Sequence, residues 1–76
     1  MDRLTAAKVF VDVATTGSFT ATADRLNMSR PMVTRYIETM EAWLNSRLLH
    51  RTTRKVSLTT AGEICLEEVK QWLRQA

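Results

Sequence analysis

Seventy-six residues make one small domain that buries a modest fraction of its surface and leaves no room for a deep catalytic cleft. Eleven Lys and Arg against eight Asp and Glu give only +3 overall, yet residues 25–55 hold seven basic side chains and two acidic ones, a local +5, while the remaining residues carry −2. A positive field gathered into one segment points to a polyanionic partner, and the lone cysteine and lone histidine exclude a disulfide framework and a metal-ligand cluster.

The spacing of Leu4, Ala7, Val11 and Ala14, with Phe10 and Val13 beside them, predicts an amphipathic helix over 4–14. Gly17 ends it by supplying a left-handed position after Thr15 and Thr16, and Ser18 caps a second helix that starts at Phe19. This second helix is short and turns Phe19, Thr22, Ala23 and Leu26 inward, with the small Ala23 permitting close approach by the next helix. Asn27 and Met28 make the turn, since Asn tolerates the left-handed conformation; Ser29 then caps a third helix, and Pro31 fits only in that helix's first turn. Val33, Ile37, Met40 and Leu44 mark its buried face, so Arg30, Thr34, Arg35 and Glu38 face solvent or a partner at its N-terminal end. Asn45 ends the helix.

Beyond Asn45 the apolar period shortens toward two. Leu48 and Leu49 precede a basic Arg51–Lys55 turn and Val56-Ser57-Leu58 follows it, which predicts two short strands around the turn. A last helix begins at Thr59 or Thr60, the latter forming a Thr-x-x-Glu capping box with Glu63, and runs through Ile64, Cys65, Leu66, Val69, Trp72 and Leu73. Its apolar residues exceed one stripe: Ala61, Cys65, Val69 and Trp72 mark one face, while Leu66 and Leu73 lie off it and are available to a second copy. Cys65 reads as a buried small hydrophobe and His50 as structural. Trp43 and Trp72 read as core or dimer contacts in preference to stacking platforms, and Met28, Met32 and Met40 as packing residues.

The predicted fold is mainly α, a winged helix-turn-helix with a three-helix core, a two-stranded β-wing and a C-terminal linker or dimerisation helix. Residues 1–58 form the DNA-binding domain and 59–76 the start of the linker helix. At the start of the third helix, Arg30, Thr34 and Arg35 are side-chain types that hydrogen-bond base edges and phosphates.

The ordered set Phe10-Val11-x-Val13-Ala14, Gly17-Ser18-Phe19-x-x-x-Ala23-x-x-Leu26, Ser29, Val33-Thr34-Arg35-x-Ile37, Met40-Glu41, Leu44 and Arg47-Leu48-Leu49-x-Arg51-Thr52-Thr53-Arg54-x-Val56-x-Leu58-Thr59-x-Ala61-Gly62 resembles the N-terminal domain of LysR-type transcriptional regulators. The resemblance spans nearly the whole chain. It implies that the third helix lies in the major groove with Arg30, Pro31, Thr34 and Arg35 at base-contacting positions, and that Arg54 enters the minor groove. It further implies backbone contacts by Ser18, Thr20, Ser29, Tyr36, Arg51, Thr53 and Lys55. Arg suits guanine O6/N7 and narrow A·T-rich minor grooves, and the Thr methyl suits thymine. The expected partner is therefore double-stranded DNA carrying an A·T-rich imperfect dyad.

The resemblance also implies a homodimer through the last helix, with Leu66, Val69, Trp72 and Leu73 in its interface, and a higher oligomer in a longer protein. Three positions depart from the family pattern: Tyr36 and Arg30 replace residues that are commonly small or uncharged, and Asn45 stands where Gly is usual. Neither cofactor nor metal is expected, nor a small-molecule site within this segment, since effector sensing belongs to a further domain in the family. The N-terminus shows no signal-peptide pattern and no apolar run approaches membrane-spanning length, which predicts a cytoplasmic, nucleoid-associated bacterial protein. The competing reading is a winged-helix protein-interaction module without DNA binding, against which the clustered charge argues. An enzyme is not expected, because no nucleophile-base set or phosphate loop is present.

Overall fold

A computed structural model describes residues 2–51 and 56–75. Its elements run α1 (Arg3–Thr16), α2 (Phe19–Leu26), α3 (Arg30–Leu44), β1 (Leu49–Arg51), β2 (Val56–Leu58) and α4 (Thr60–Gln75). Every predicted element is present, and most boundaries have a local cause. The Asp2 carboxylate accepts from the Leu4 and Thr5 amides at the start of α1, a charge-assisted cap that helps hold the Asp2 carboxyl below its ordinary range, chiefly through the Thr5 hydroxyl. Gly17 takes φ 71° and returns its amide to the Val13 carbonyl.

Ser18 Oγ accepts from the Ala21 amide at 3.1 Å, and Ser29 Oγ accepts from the Met32 amide at 3.3 Å, so each serine opens a helix. Asn27 and Asn45 close α2 and α3 at φ 56° and 49°. After each, the following amide reaches back, Met28 to the Ala23 carbonyl and Ser46 to that of Glu41. These are Schellman closures that satisfy carbonyls a helix end would otherwise leave open.

Helix α1 packs against α2, α3, α4 and β2 and is the hub of the domain. Its buried residues are Ala6, Ala7, Val9, Phe10 and Val13, so the inward stripe is centred on Val9 and Phe10. The predicted stripe is rotated from this: Leu4 is exposed, and Val11 and Ala14 are only half-buried. Around the hub close Phe19 and Ala23 of α2, Val33, Ile37 and Met40 of α3, and Leu48 and Leu49. Thr22 is also fully buried, and its hydroxyl is satisfied by Thr16 Oγ1 at 3.2 Å.

Leu44 departs from expectation at 47% exposure, because α3 outruns the core in its last turn. Helix α4 starts at Thr60, but its cap is Thr59: the Gly62 amide donates to Thr59 Oγ1 at 2.9 Å. The expected box between Thr60 and Glu63 is therefore displaced by one residue. Cys65 is half-buried where full burial is expected; burial, and secondarily Glu68, push its thiol upward.

Strands β1 and β2 pair antiparallel with Leu49 opposite Leu58, His50 opposite Ser57 and Arg51 opposite Val56. The period of two turns Leu49 and Leu58 to the core, whereas His50 and Ser57 are exposed.

Candidate nucleic-acid interface

Helices α2 and α3 are joined by only three residues, Asn27, Met28 and Ser29. With Asn27 left-handed and Ser29 extended, the chain reverses sharply enough to pack Ala23 against the α1–α3 core. The consequence for α3 is a fixed rotation. Burial of Val33, Ile37 and Met40 on one side sends Pro31, Arg35 and Glu38 to the opposite side, and all three are exposed.

Arg30 is exposed at the first position of α3, and Thr34 sits half-buried at the edge of the same surface with its hydroxyl donated to the Arg30 carbonyl at 3.2 Å. Four of the base-contacting candidates, Arg30, Pro31, Thr34 and Arg35, thus share one end of one helix. Arg54, the fifth, lies outside the described residues, as do Thr53, Lys55 and the Arg51 side chain.

Backbone-contacting candidates flank this surface. Thr20 is exposed in the first turn of α2, and Ser18 and Ser29 stand at the N-termini of α2 and α3. Each serine oxygen already accepts from an amide, so the hydroxyl hydrogen is the part free to meet an anion. Tyr36 lies toward the buried side of α3, half-buried and packed on the core, which holds its ring instead of leaving it to swing in solvent.

The positive segment is less free than its charge count suggests. Arg25 Nε donates to Asp12 Oδ1 at 2.9 Å, tying α2 to α1 across thirteen residues. Among the described residues neither Arg30 nor Arg35 makes an ion pair. Glu41, inside the same segment, turns its carboxylate to the backbone: its Oε2 accepts from the Leu48 amide at 2.9 Å and the Leu49 amide at 3.4 Å. The sequence reading missed the pairing of Asp12 with Arg25 and the roles of Glu41 and Thr59. For Glu41 the available signal was the Met40-Glu41 element of the family pattern; for Asp12 and Arg25 no local spacing exists.

The tryptophans lie away from the N-terminal end of α3. Trp43 and Trp72 are 43% and 47% exposed. Both line an open apolar groove of about 340 Å³ with Arg3, Ala7, Met40 and Val69. The Arg3 guanidinium stands 5.4 Å from the Trp43 ring centroid, a cation–π contact at the rim. On α4, Leu66, Val69 and Leu73 are half-buried, and Ile64 is 59% exposed.

Residues 4–63 match the model of the bacterial regulatory helix-turn-helix protein, lysR family. Among curated relatives, an HTH-type transcriptional repressor of Pseudomonas aeruginosa is 41% identical over 75 residues, 99% of this chain and 24% of the relative. The HTH-type transcriptional regulator TfdT of Cupriavidus pinatubonensis is 41% identical over 66 residues, 87% of this chain and 29% of the relative. The chain thus spans about a quarter of the length of the curated relatives it matches. Its fold superimposes on the CbnR DNA-binding domain in complex with DNA with a TM-score of 0.93 at 37% identity, covering 99% of this chain and 85% of that one. It matches the BenM DNA-binding domain bound to benA site 1 DNA with a TM-score of 0.90 at 32% identity, covering 99% and 83%. With its helix-turn-helix, its paired strands and a family match over most of its length, the chain belongs to the lysR family of bacterial regulatory helix-turn-helix proteins.

Proposed function

We propose that this chain binds double-stranded DNA sequence-specifically as the DNA-reading part of a bacterial transcriptional regulator, with α3 in the major groove and the basic Arg51–Lys55 segment in the minor groove. The observation that carries the reading is the N-terminal end of α3, where Pro31 and Arg35 stand exposed opposite a fully buried Val33 and Ile37 and Arg30 is exposed at the first position of the helix. A helix so oriented presents its cations outward at the end of the element whose amides also favour anions. In this reading Arg30 and Arg35 pair with guanine edges or adjacent phosphates, the Thr34 methyl meets thymine, Pro31 packs beside them, and Arg54 enters an A·T-rich minor groove. Ser18, Thr20, Ser29, Tyr36, Arg51, Thr53 and Lys55 hold the phosphates and set register.

Residues 1–58 serve as the reading unit and 59–76 as the beginning of a dimerisation helix, in which Leu66, Val69, Trp72 and Leu73 meet a second copy. The resulting two-fold pair matches a DNA dyad. Among the described residues no helix is long and apolar enough to cross a membrane, and the proposed site of action is the bacterial cytoplasm, on the nucleoid. The reading is tested by fluorescence anisotropy on an A·T-rich duplex with imperfect dyad symmetry. With roughly four to five phosphates engaged per subunit, log affinity falls against log salt with a slope near about −4 per subunit. An affinity insensitive to salt overturns it.

A further inference from the structure

Glu41 is an acidic residue inside the most basic stretch of the chain, where a carboxylate works against binding a polyanion. Its geometry gives it another task. From the last turn of α3 its Oε2 accepts both the Leu48 and Leu49 amides, so one oxygen of the reading helix grips the backbone where β1 begins. The grip is reinforced from below. Leu48 and Leu49 are at most 1% exposed. The Leu48 carbonyl then accepts the Thr59 amide at 3.0 Å where the chain leaves β2, and Val56 donates to the Gly17 carbonyl at 3.5 Å.

Among the described residues, the Glu41 carboxylate thus ties the start of β1 to α3 by hydrogen bonds, beside the packing of Leu48 and Leu49 with Ile37 and Met40 in the core. We propose that Glu41 is a positioning residue that sets the angle between α3 and the two-stranded wing, so that both engage one stretch of DNA at once. The proposal rests on the DNA-binding reading above. Two DNA-contacting elements joined rigidly gain from each other, since the second binds in a unimolecular step; a loosened joint forfeits part of that gain without removing any contact.

The two amide bonds converge on one oxygen, which makes a near-isosteric test available. Glutamine keeps a carbonyl oxygen at that place and alanine keeps none, while both remove the same negative charge. The full chain is assayed by anisotropy on the duplex that wild type prefers, below the melting temperature of each variant. Glu41→Gln keeps the acceptor for both amides and is expected to bind within about twofold of wild type.

Glu41→Ala is expected to bind about tenfold more weakly than Glu41→Gln, with a salt slope shallower by about one. Lys55→Ala is expected to cost less in the Glu41→Ala background than in wild type, because a wing already out of register has less to lose. A merely structural role lowers the melting temperature but leaves the salt slope and the cost of Lys55→Ala unchanged. Equal binding by Glu41→Ala and Glu41→Gln, or an unchanged cost of Lys55→Ala, overturns the proposal.

Should Glu41→Ala fail to fold, Glu41→Asp carries the test, since it keeps the charge but withdraws the oxygen by roughly 1.5 Å. It is expected to bind more weakly than Glu41→Gln despite being isoelectric with wild type, and affinity equal to wild type overturns the proposal. Failure of wild type itself to bind DNA removes the underlying reading, whereas wild-type binding with indifferent Glu41 variants removes this inference alone.

Discussion

Replacing Gly62 with alanine tests how α4 is docked. A Cβ built on Gly62 lies 2.1 Å from the Leu48 carbonyl oxygen, 3.0 Å from its carbon and 3.1 Å from Leu58 Cδ2. An ordinary carbon–oxygen approach is about 3.4 Å, so α4 has to retreat by roughly 1.3 Å at this point. That retreat strains the Thr59 amide bond to the Leu48 carbonyl at 3.0 Å and the Thr59 hydroxyl bond to the Arg47 carbonyl. Forced displacement of backbone costs about 1–3 kcal/mol and each weakened hydrogen bond up to about 1 kcal/mol. Alanine returns about 1 kcal/mol of helix propensity.

The net loss is about 2–3 kcal/mol, which in a domain of this size lowers the melting temperature by roughly 8–24 °C. Thermal and urea unfolding followed by circular dichroism give the value. Glu67→Ala, on an exposed position of the same helix, serves as the control and stays within about 0.5 kcal/mol of wild type. A Gly62→Ala protein that melts at or above wild type refutes the close approach of α4 to Leu48.

Three further outcomes are expected. Arg35→Ala or Thr34→Ala costs roughly 1–3 kcal/mol on the preferred duplex and narrows the margin over random DNA, whereas Lys55→Ala weakens both about equally; equal losses on both DNAs for all three variants mean that α3 is not the reading element. Because burial and Glu68 raise the Cys65 thiol, less thiolate is present at pH 8 than in an unhindered peptide, so iodoacetamide alkylation is slower and climbs only at more alkaline pH; a rate matching the free peptide contradicts the packing drawn for α4. Sedimentation of the complex on a dyad-containing duplex gives two chains per duplex, and a strictly one-to-one complex at high protein concentration removes the dimer while leaving DNA binding intact.

Signals confined to a few neighbouring residues were legible from sequence. Ser18, Asn27, Ser29 and Asn45 each act through a cap or a left-handed closure that depends only on the adjacent turn, and each sits where expected. The register of α3 was also legible, because bulky Val33 and Ile37 leave little choice of inward face. In α1 the alanines blur that choice, and the buried stripe turns from Leu4, Val11 and Ala14 toward Val9 and Phe10. Leu44 keeps the correct spacing yet is exposed, since periodicity says nothing about where a core ends. At the start of α4 two adjacent threonines offered a cap, and Thr59 takes it because its hydroxyl also reaches the Arg47 carbonyl. The link from Asp12 to Arg25 and the grip of Glu41 on β1 join residues thirteen and seven apart, and only the tertiary arrangement brings such pairs together.

The central claim, that this domain distinguishes one DNA sequence from another, is tested most directly by selecting duplexes from a random pool and measuring affinity for the selected and a scrambled duplex at one fixed salt concentration near 150 mM, about physiological ionic strength. The account predicts that the selected duplex is bound at least about a hundredfold more tightly than the scrambled one. Equal affinity for the two would contradict it.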